Sequence, residues 1–233
     1  MTSRRDELAD NLAAVRARIA AAATAAGRDP AAVTLIAVTK TYPAADIALL
    51  AELGVTDVGE SRDQEAAGKA AALAELPLRW HFVGQLQTNK ARSVARYADV
   101  VHSVDRTGLV DALRRAAAAR AVELDVLVQL NLDPVGGLDR GGVPPGELPR
   151  LADEVAAAPG LRLRGLMLVA PAGMDPAPVF SRLAEAAAAL RVDHPHADWI
   201  SAGMSADLEA AVACGATHVR VGSGLLGARP GKR

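Results

Sequence analysis

Apolar positions recur along the chain with two periods. Leu8, Leu12, Val15 and Ile19 stand four, three and four residues apart, one stripe of an amphipathic helix that ends near Gly27-Arg28-Asp29-Pro30. From there, short β-branched runs alternate with helical patterns. The runs at 33–39, 56–59, 80–83, 99–103, 125–131, 163–169, 198–201 and 217–222 read as strands. Helical patterns lie near 43–53, 61–75, 87–96, 106–121, 145–158, 176–191 and 204–214. Repeated β-then-α units imply parallel strands joined by crossover helices. Eight such strands predict an α/β fold: a single (β/α)8 TIM-type barrel domain over 1–233, with 1–27 packed on it as an extra N-terminal helix. A doubly wound open sheet is the alternative, and it would need a topological switch and normally fewer strands. No linker divides the chain. The Pro/Gly-rich stretch 133–149 is long for a βα loop and reads as a mobile active-site flap rather than a domain boundary.

Lys40 closes the run Val33-Thr34-Leu35-Ile36-Ala37-Val38-Thr39-Lys40, just ahead of Tyr42-Pro43. Strand alternation puts Ile36, Val38 and Lys40 on one side. Burying an ammonium is costly unless it is paired or neutralised, and a neutral amine attacks an aldehyde to form an imine. A solvated lysine at a strand end is the plain alternative. Barrels of this type carry their active sites at the C-terminal strand ends. There the pattern collects Lys40, Gly59-Glu60-Ser61, Gly84-Gln85, Asn131, Ser201 and Gly222-Ser223. Ile200-Ser201-Ala202-Gly203-Met204-Ser205-Ala206-Asp207 and Val219-Arg220-Val221-Gly222-Ser223-Gly224 end strands seven and eight, whose loops often bind phosphate. Their glycines let backbone N–H groups approach an anion, and Ser201 and Ser223 would add hydroxyl donors. Simple connecting turns, with Ser205 as an N-cap, are the other reading. In His218-Val219-Arg220 the valine is expected to face the helices and the two polar residues the barrel interior. An inward arginine needs an acceptor, either a carboxylate or a ligand atom such as a ring nitrogen. His81, mid-strand in Trp80-His81-Phe82, is either a ligand contact or a hydrogen-bonded core histidine.

Composition narrows the function classes. A formal net charge of −1 over 233 residues leaves no electrostatic footprint for nucleic acid or an anionic membrane. No apolar stretch approaches bilayer length, and the charged N-terminus does not read as a signal peptide, so a cytoplasmic protein is expected. One cysteine, Cys214, excludes an internal disulfide and any multi-cysteine metal site; a small buried hydrophobe is its expected role. His194-Pro195-His196 with Asp193 and Asp198 reads as a surface turn rather than a metal cluster. No P-loop, nucleophile elbow or dinucleotide fingerprint is present.

A lysine ending the first barrel strand, an anion cup after strands seven and eight and an inward arginine together suit pyridoxal 5′-phosphate. At this point the chain resembles the pyridoxal phosphate homeostasis protein family, relatives of the N-terminal barrel of alanine racemase. The resemblance rests on Ala37-Val38-Thr39-Lys40-Thr41, Val58-Gly59-Glu60, Trp80-His81-Phe82-Val83-Gly84-Gln85-Leu86-Gln87-Thr88-Asn89-Lys90, Arg164-Gly165-Leu166-Met167, Gly203-Met204-Ser205-Ala206-Asp207 and Val219-Arg220-Val221-Gly222-Ser223 through Gly227-Ala228-Arg229. It implies a monomeric barrel of the fold type III pyridoxal phosphate class that carries or buffers the cofactor through an imine at Lys40, in vitamin B6 and amino-acid homeostasis. Apo-enzymes that need the cofactor would be its partners, and robust catalytic activity is not expected. The implied cofactor-binding set is Lys40, Ser61, His81, Asn131, Ser201, Gly203, Met204, Arg220, Gly222 and Ser223. Three positions depart from the family: Ser61 replaces an asparagine, Tyr42 a second lysine, and Arg140 a lysine of the flap. Arginine cannot form an imine, so no transfer role carries over from those two lysines. An arginine opposite the ring nitrogen favours an unprotonated pyridine, which suits imine exchange or racemisation better than transamination.

Two other readings stand beside the carrier. A racemase or lyase of the same barrel type would typically carry a second domain, which a chain ending eleven residues after Gly222 is not expected to have, and a partner-subunit tyrosine as second acid/base; the available tyrosines are Tyr42 and Tyr97, and Tyr42, two residues past Lys40, is placed near the site. A cofactor-free Schiff-base aldolase would need an acid/base pair beside its lysine, and none is identifiable.

Overall fold

The computed structural model describes residues 3–133, 141–171 and 173–227. Helix α1 (Arg4–Ala25) opens with a capping box between Ser3 and Asp6, and the predicted stripe Leu8, Leu12, Val15, Ile19 is buried, extended by Ala23. Eight parallel strands follow: β1 (Thr34–Val38), β2 (Asp57–Glu60), β3 (Arg79–Phe82), β4 (Val100–Val104), β5 (Leu124–Gln129), β6 (Leu161–Met167), β7 (Trp199–Ser201) and β8 (His218–Val221). They close in sequence order, β8 pairing back onto β1 through Thr34↔His218 to Ala37↔Val221. This is the expected (β/α)8 barrel. The connecting helices are α2 (Ala44–Glu52), α3 (Asp63–Ala72), α4 (Ala91–Tyr97), α5 (Thr107–Ala117), α6 (Leu148–Ala156), α7 (Pro176–Asp193) and α8 (Leu208–Ala213), with a single turn α9 (Ser223–Leu226) after β8.

Alternation sorts the strands as the pleat requires. Val219, Val221 and Ala37 face outward into a cluster with Leu8, Leu12, Val15 and Ile19 of α1. His218, Arg220, His81, His102 and Ser201 face inward and are buried. The extra helix therefore covers the β8–β1 seam. Arg4 ties it to Asp46 at 2.7 Å, and Arg28 donates to the carbonyls of Val212 and Ala216.

Two departures from the sequence expectation have local causes. The glycine-rich turn after β8 winds into α9, because Leu225 and Leu226 gain burial against α1. Helix α8 starts at Leu208 rather than 204, since the Asp207 carboxylate accepts from Met204 N at 2.6 Å and holds 204–207 as a turn. Ser205 is not its N-cap: the hydroxyl accepts from Gly224 N at 3.2 Å and laces the β7 and β8 loops together.

The N-terminal end of the barrel is filled by charge and one indole. Trp199 carries the guanidinium groups of Arg79, at 4.8 Å, and Arg164, at 4.3 Å, over its ring. Asp125 accepts from Arg79 at 2.6 Å and Arg162 at 2.5 Å. Arg164 reaches the ring through a bulge: Val126 pairs with Leu163 and Leu127 with Gly165, leaving Arg164 without a partner on β5. Gly165 takes φ +143° there.

Candidate functional site

At the opposite, C-terminal end, the turn after β1 is held from several sides. Thr39 N donates to Gly59 O, and the Thr39 hydroxyl donates to Glu60 Oε1 at 2.7 Å. Lys69, buried on α3, donates to Thr39 O (2.8 Å), Glu60 Oε1 (2.7 Å) and Glu65 Oε1 (2.6 Å). Thr41 N donates to the same Glu65 oxygen at 2.5 Å. Thr41 sits at φ +73°, a region a β-branched residue rarely enters, at a cost of about 1–3 kcal/mol. The clamp over-determines the backbone on both sides of Lys40, whose side chain is half-buried at the barrel rim. It also separates the two lysines chemically: Lys69 donates all its ammonium hydrogens and has none to give up. Burial raises the Glu60 carboxyl, against the pull of Lys69 and Thr39.

Arg220 is 4% exposed inside the barrel, with Nη1 donating to Ser201 Oγ at 2.7 Å and Nη2 to Leu168 O at 2.9 Å. Burial brings its pKa down to about 10, so it is charged at neutral pH. Ser201 Oγ also contacts His102 Nδ1 at 2.9 Å, His102 Nε2 contacts His81 Nδ1 at 2.9 Å, and His81 Nε2 contacts Asp57 Oδ1 at 2.9 Å. His81 is thus a hydrogen-bonded core histidine with both ring nitrogens engaged. Ser201, placed in the anion cup by its position at a strand end, has its hydroxyl occupied in this chain instead.

The remaining predicted positions sit around the rim. Gly222 lies against the end of β1, where a Cβ would come 3.4 Å from Val38 O; Ser223 is exposed on the first turn of α9. Gly203, at φ +88°, lets its loop press onto α8, where a Cβ would meet Ala211 Cβ at 2.6 Å. Met204 is exposed, and its N–H is already given to Asp207. Ser61 packs its backbone on Gly84, at which a Cβ would lie 2.6 Å from Ser61 O. Asn131 N donates to Val143 O, and Val143 N to Gln129 O, so the described end of the 133–149 segment returns beside β5. The flap residues 134–140, Arg140 among them, and Arg229 lie outside the described residues. Tyr42 turns away from the barrel interior: it is buried among α1 residues and its hydroxyl donates to Gly227 O at 2.7 Å. Tyr97 stands on α4, outside the barrel wall. Cys214 is half-buried at the edge of the core. His194 contacts Asp153 at 3.0 Å.

His102, Asp57 and Lys69 were not singled out from sequence. The available signal was a polar residue on the inward face of a buried strand, His102 in Val100-Val101-His102-Ser103-Val104 and Asp57 two before Gly59. Lys69 offered only a four-residue helical spacing from Glu65.

Three buried histidines make the fold sensitive to mild acid. Burial lowers His81, His102 well below the usual range, and His218 to about 3. An unfolded histidine titrates near ~6.5, so below that pH the unfolded chain binds protons the barrel refuses. Their contribution is present above ~6.5 and is lost as pH falls, with a slope of up to about 1.4 kcal/mol per pH unit for each ring. Glu60, shifted upward, opposes this with one proton at the acidic end. Urea midpoints are expected to drop between pH 7 and 5.5, with about two to three protons taken up on unfolding. A flat profile would mean that the rings are charged in the folded barrel.

The alanine racemase N-terminal domain family model matches residues 11–230. The chain is similar to the pyridoxal phosphate homeostasis protein of Mycobacterium tuberculosis, 47% identical over 97% of this chain and 94% of that protein. It is 42% identical to that of Escherichia coli, over 96% and 97%. Among solved structures it resembles PipY of Synechococcus elongatus with PLP bound, at TM-score 0.80 and 36% identity, covering 94% of this chain and all of that one (100%).

Proposed function

Because the chain belongs to the pyridoxal phosphate homeostasis proteins, within the alanine racemase N-terminal domain family, we propose that it binds pyridoxal 5′-phosphate at the C-terminal end of the barrel. The cofactor is held through a Schiff base with Lys40 and is buffered for, or passed to, apo-enzymes, in vitamin B6 and amino-acid homeostasis. The bound group supplies an aldehyde for a primary amine and a phosphate as an anionic handle.

The residues present fit that group. Lys40 stands at the rim on a turn fixed to either side. Gly222, beside Val38, leaves a gap between the ends of β1 and β8 that a side chain would fill, and Ser223 borders it. Arg220 brings a buried positive charge with guanidinium N–H groups beyond the two used on Ser201 and Leu168, suited to a ring nitrogen. Of the loop residues in the anion cup, Met204 and Gly224 have spent their N–H groups, which leaves those of Gly203, Ser205 and the Gly222-Ser223 turn for the phosphate. The single observation that carries the reading is the Lys40 turn: a strained backbone with two carboxylates and a second lysine devoted to holding it. Tyr42, its hydroxyl given to Gly227 O, speaks for a carrier over a racemase that needs a tyrosine acid/base at the site. The carrier is expected to work in the cytoplasm as a monomer.

The test is borohydride reduction of protein incubated with pyridoxal phosphate, followed by peptide mass spectrometry. The chain has only four lysines, 40, 69, 90 and 232. A phosphopyridoxyl group confined to Lys40 is expected; an adduct on another lysine, with Lys40 unmodified, would overturn the assignment.

A further inference from the structure

Five side chains cross the barrel interior from end to end: Asp57, His81, His102, Ser201 and Arg220, joined by contacts of 2.9, 2.9, 2.9 and 2.7 Å. The two ends fix the direction of every hydrogen bond. A guanidinium only donates and a carboxylate only accepts. Arg220 Nη1 therefore donates to Ser201 Oγ, which leaves the serine hydrogen for His102 Nδ1. His102 then carries its own proton on Nε2 and donates to His81 Nδ1, and His81 Nε2–H donates to Asp57. With both rings neutral, no other assignment satisfies all four contacts. Reversing His102 would aim two donors and a homeless hydroxyl hydrogen at one oxygen. Reversing His81 would set a lone pair against a carboxylate.

We propose that Asp57, at the N-terminal end of β2, is a positioning residue for Arg220 at the other end of the barrel interior, acting through a one-directional hydrogen-bond chain that locks His81 and His102 in their Nε2–H forms. Ser201 Oγ is the only side-chain acceptor within hydrogen-bond reach of the Arg220 guanidinium among the described residues. The carboxylate whose charge reaches the guanidinium directly is Asp207, which raises its pKa against burial without a hydrogen bond to it, so no carboxylate among the described residues competes for the remaining N–H groups. Aligned bonds polarise one another, so the far anion is felt at the guanidinium more strongly than distance alone allows. Asp57 is well anchored as the terminal acceptor. Burial would raise its carboxyl, yet hydrogen bonds from His81 and from the Thr56 hydroxyl at 2.7 Å hold it below the usual range. It also borders an open cleft between α1 and the starts of β1 and β2, lined by Arg16, Ile19, Val33 and Thr34. The relevance to the cofactor rests on reading Arg220 as the partner of its ring nitrogen; the chain itself does not.

The first measurement is nitrogen-15 NMR of the histidine rings in cofactor-free protein. Both His81 and His102 should carry the proton on Nε2, unchanged from pH 8 to 5.5. A proton on Nδ1 of either ring would overturn the proposal without any variant. Because the Arg220–Ser201 end sets the same direction, Asp57→Ala alone should keep both rings in their Nε2–H forms; with Ser201→Ala added, His102, which does not touch residue 57, should become a mixture of tautomers, and formate diffusing in from the cleft should restore the single form. Ser201→Ala should leave His81 in its Nε2–H form, because the chain is set from the other end. A His102 tautomer unmoved in the double variant sinks the coupling. In loaded protein, the visible absorption band should shift in Asp57→Ala and return with formate. A band unmoved in Asp57→Ala would leave the chain standing and remove its link to the ring nitrogen.

Discussion

Lys40→Ala is expected to abolish the borohydride-fixable chromophore and to weaken retention of pyridoxal phosphate on the order of 100-fold, about 3 kcal/mol, while leaving the fold intact. The size follows from the loss of a covalent link, with only the phosphate turn and Arg220 left to hold the ligand. No neighbour can substitute. Lys69 is saturated by Thr39 O, Glu60 and Glu65, and Lys90 lies on the outer surface near Asp63. The two places where a second family lysine might have helped are Tyr42 and Arg140. The fold should survive because the clamp grips backbone atoms of Thr39 and Thr41 rather than the Lys40 side chain. Lys40→Arg is the informative companion: it keeps the charge, cannot condense with an aldehyde, and should lose the chromophore equally. A yellow, reducible protein in either variant would remove Lys40 from the account.

The largest effect on stability is expected from a single methyl group. In Gly165→Ala the new Cβ would lie 2.0 Å from Trp199 O and 2.8 Å from Trp199 C and N, at φ +143°. The backbone cannot step aside, because Gly165 pairs with Trp199 in the β6–β7 ladder and sets the bulge that aims Arg164 at the indole. A loss of about 4 kcal/mol or more is expected, much of the whole margin of an ordinary domain. Gly68→Ala is the control. It lies inside α3 with open space around it, and should gain about 0.5–1 kcal/mol from helix propensity. Urea midpoints for both variants decide the matter. Near-native stability of Gly165→Ala would show that the bulge is dispensable.

The barrel was legible because its signal is repetitive. Eight β-branched runs spaced by helical stripes leave few topologies, and alternation alone put Arg220 and His218 inside. What alternation could not supply was partnership. His102 and Asp57 stand on the inward faces of strands remote in sequence from β8, and only closure of the sheet brings them into line with Arg220. Ser201 shows the same limit: position placed it at a strand end, whereas its hydroxyl direction depends on which inward residue sits beside it in the neighbouring strands. Tyr42 failed for a local reason. Two residues after Lys40, a continuing strand would put both on one face, but the left-handed Thr41 swings the chain out to α1. The clamp built on Lys69 was hidden because a helical lysine four residues from a glutamate ordinarily marks a solvated surface pair.

The stacked Arg79, Trp199 and Arg164, with Asp125 and Arg162 beside them, give the molecule the plan of a cup rather than a pipe. Whatever is taken in must be poured out over the same lip. In the proposed carrier role, a recipient would have to approach that face while the ligand is still seated, so loading and unloading would be mutually exclusive events at one doorway.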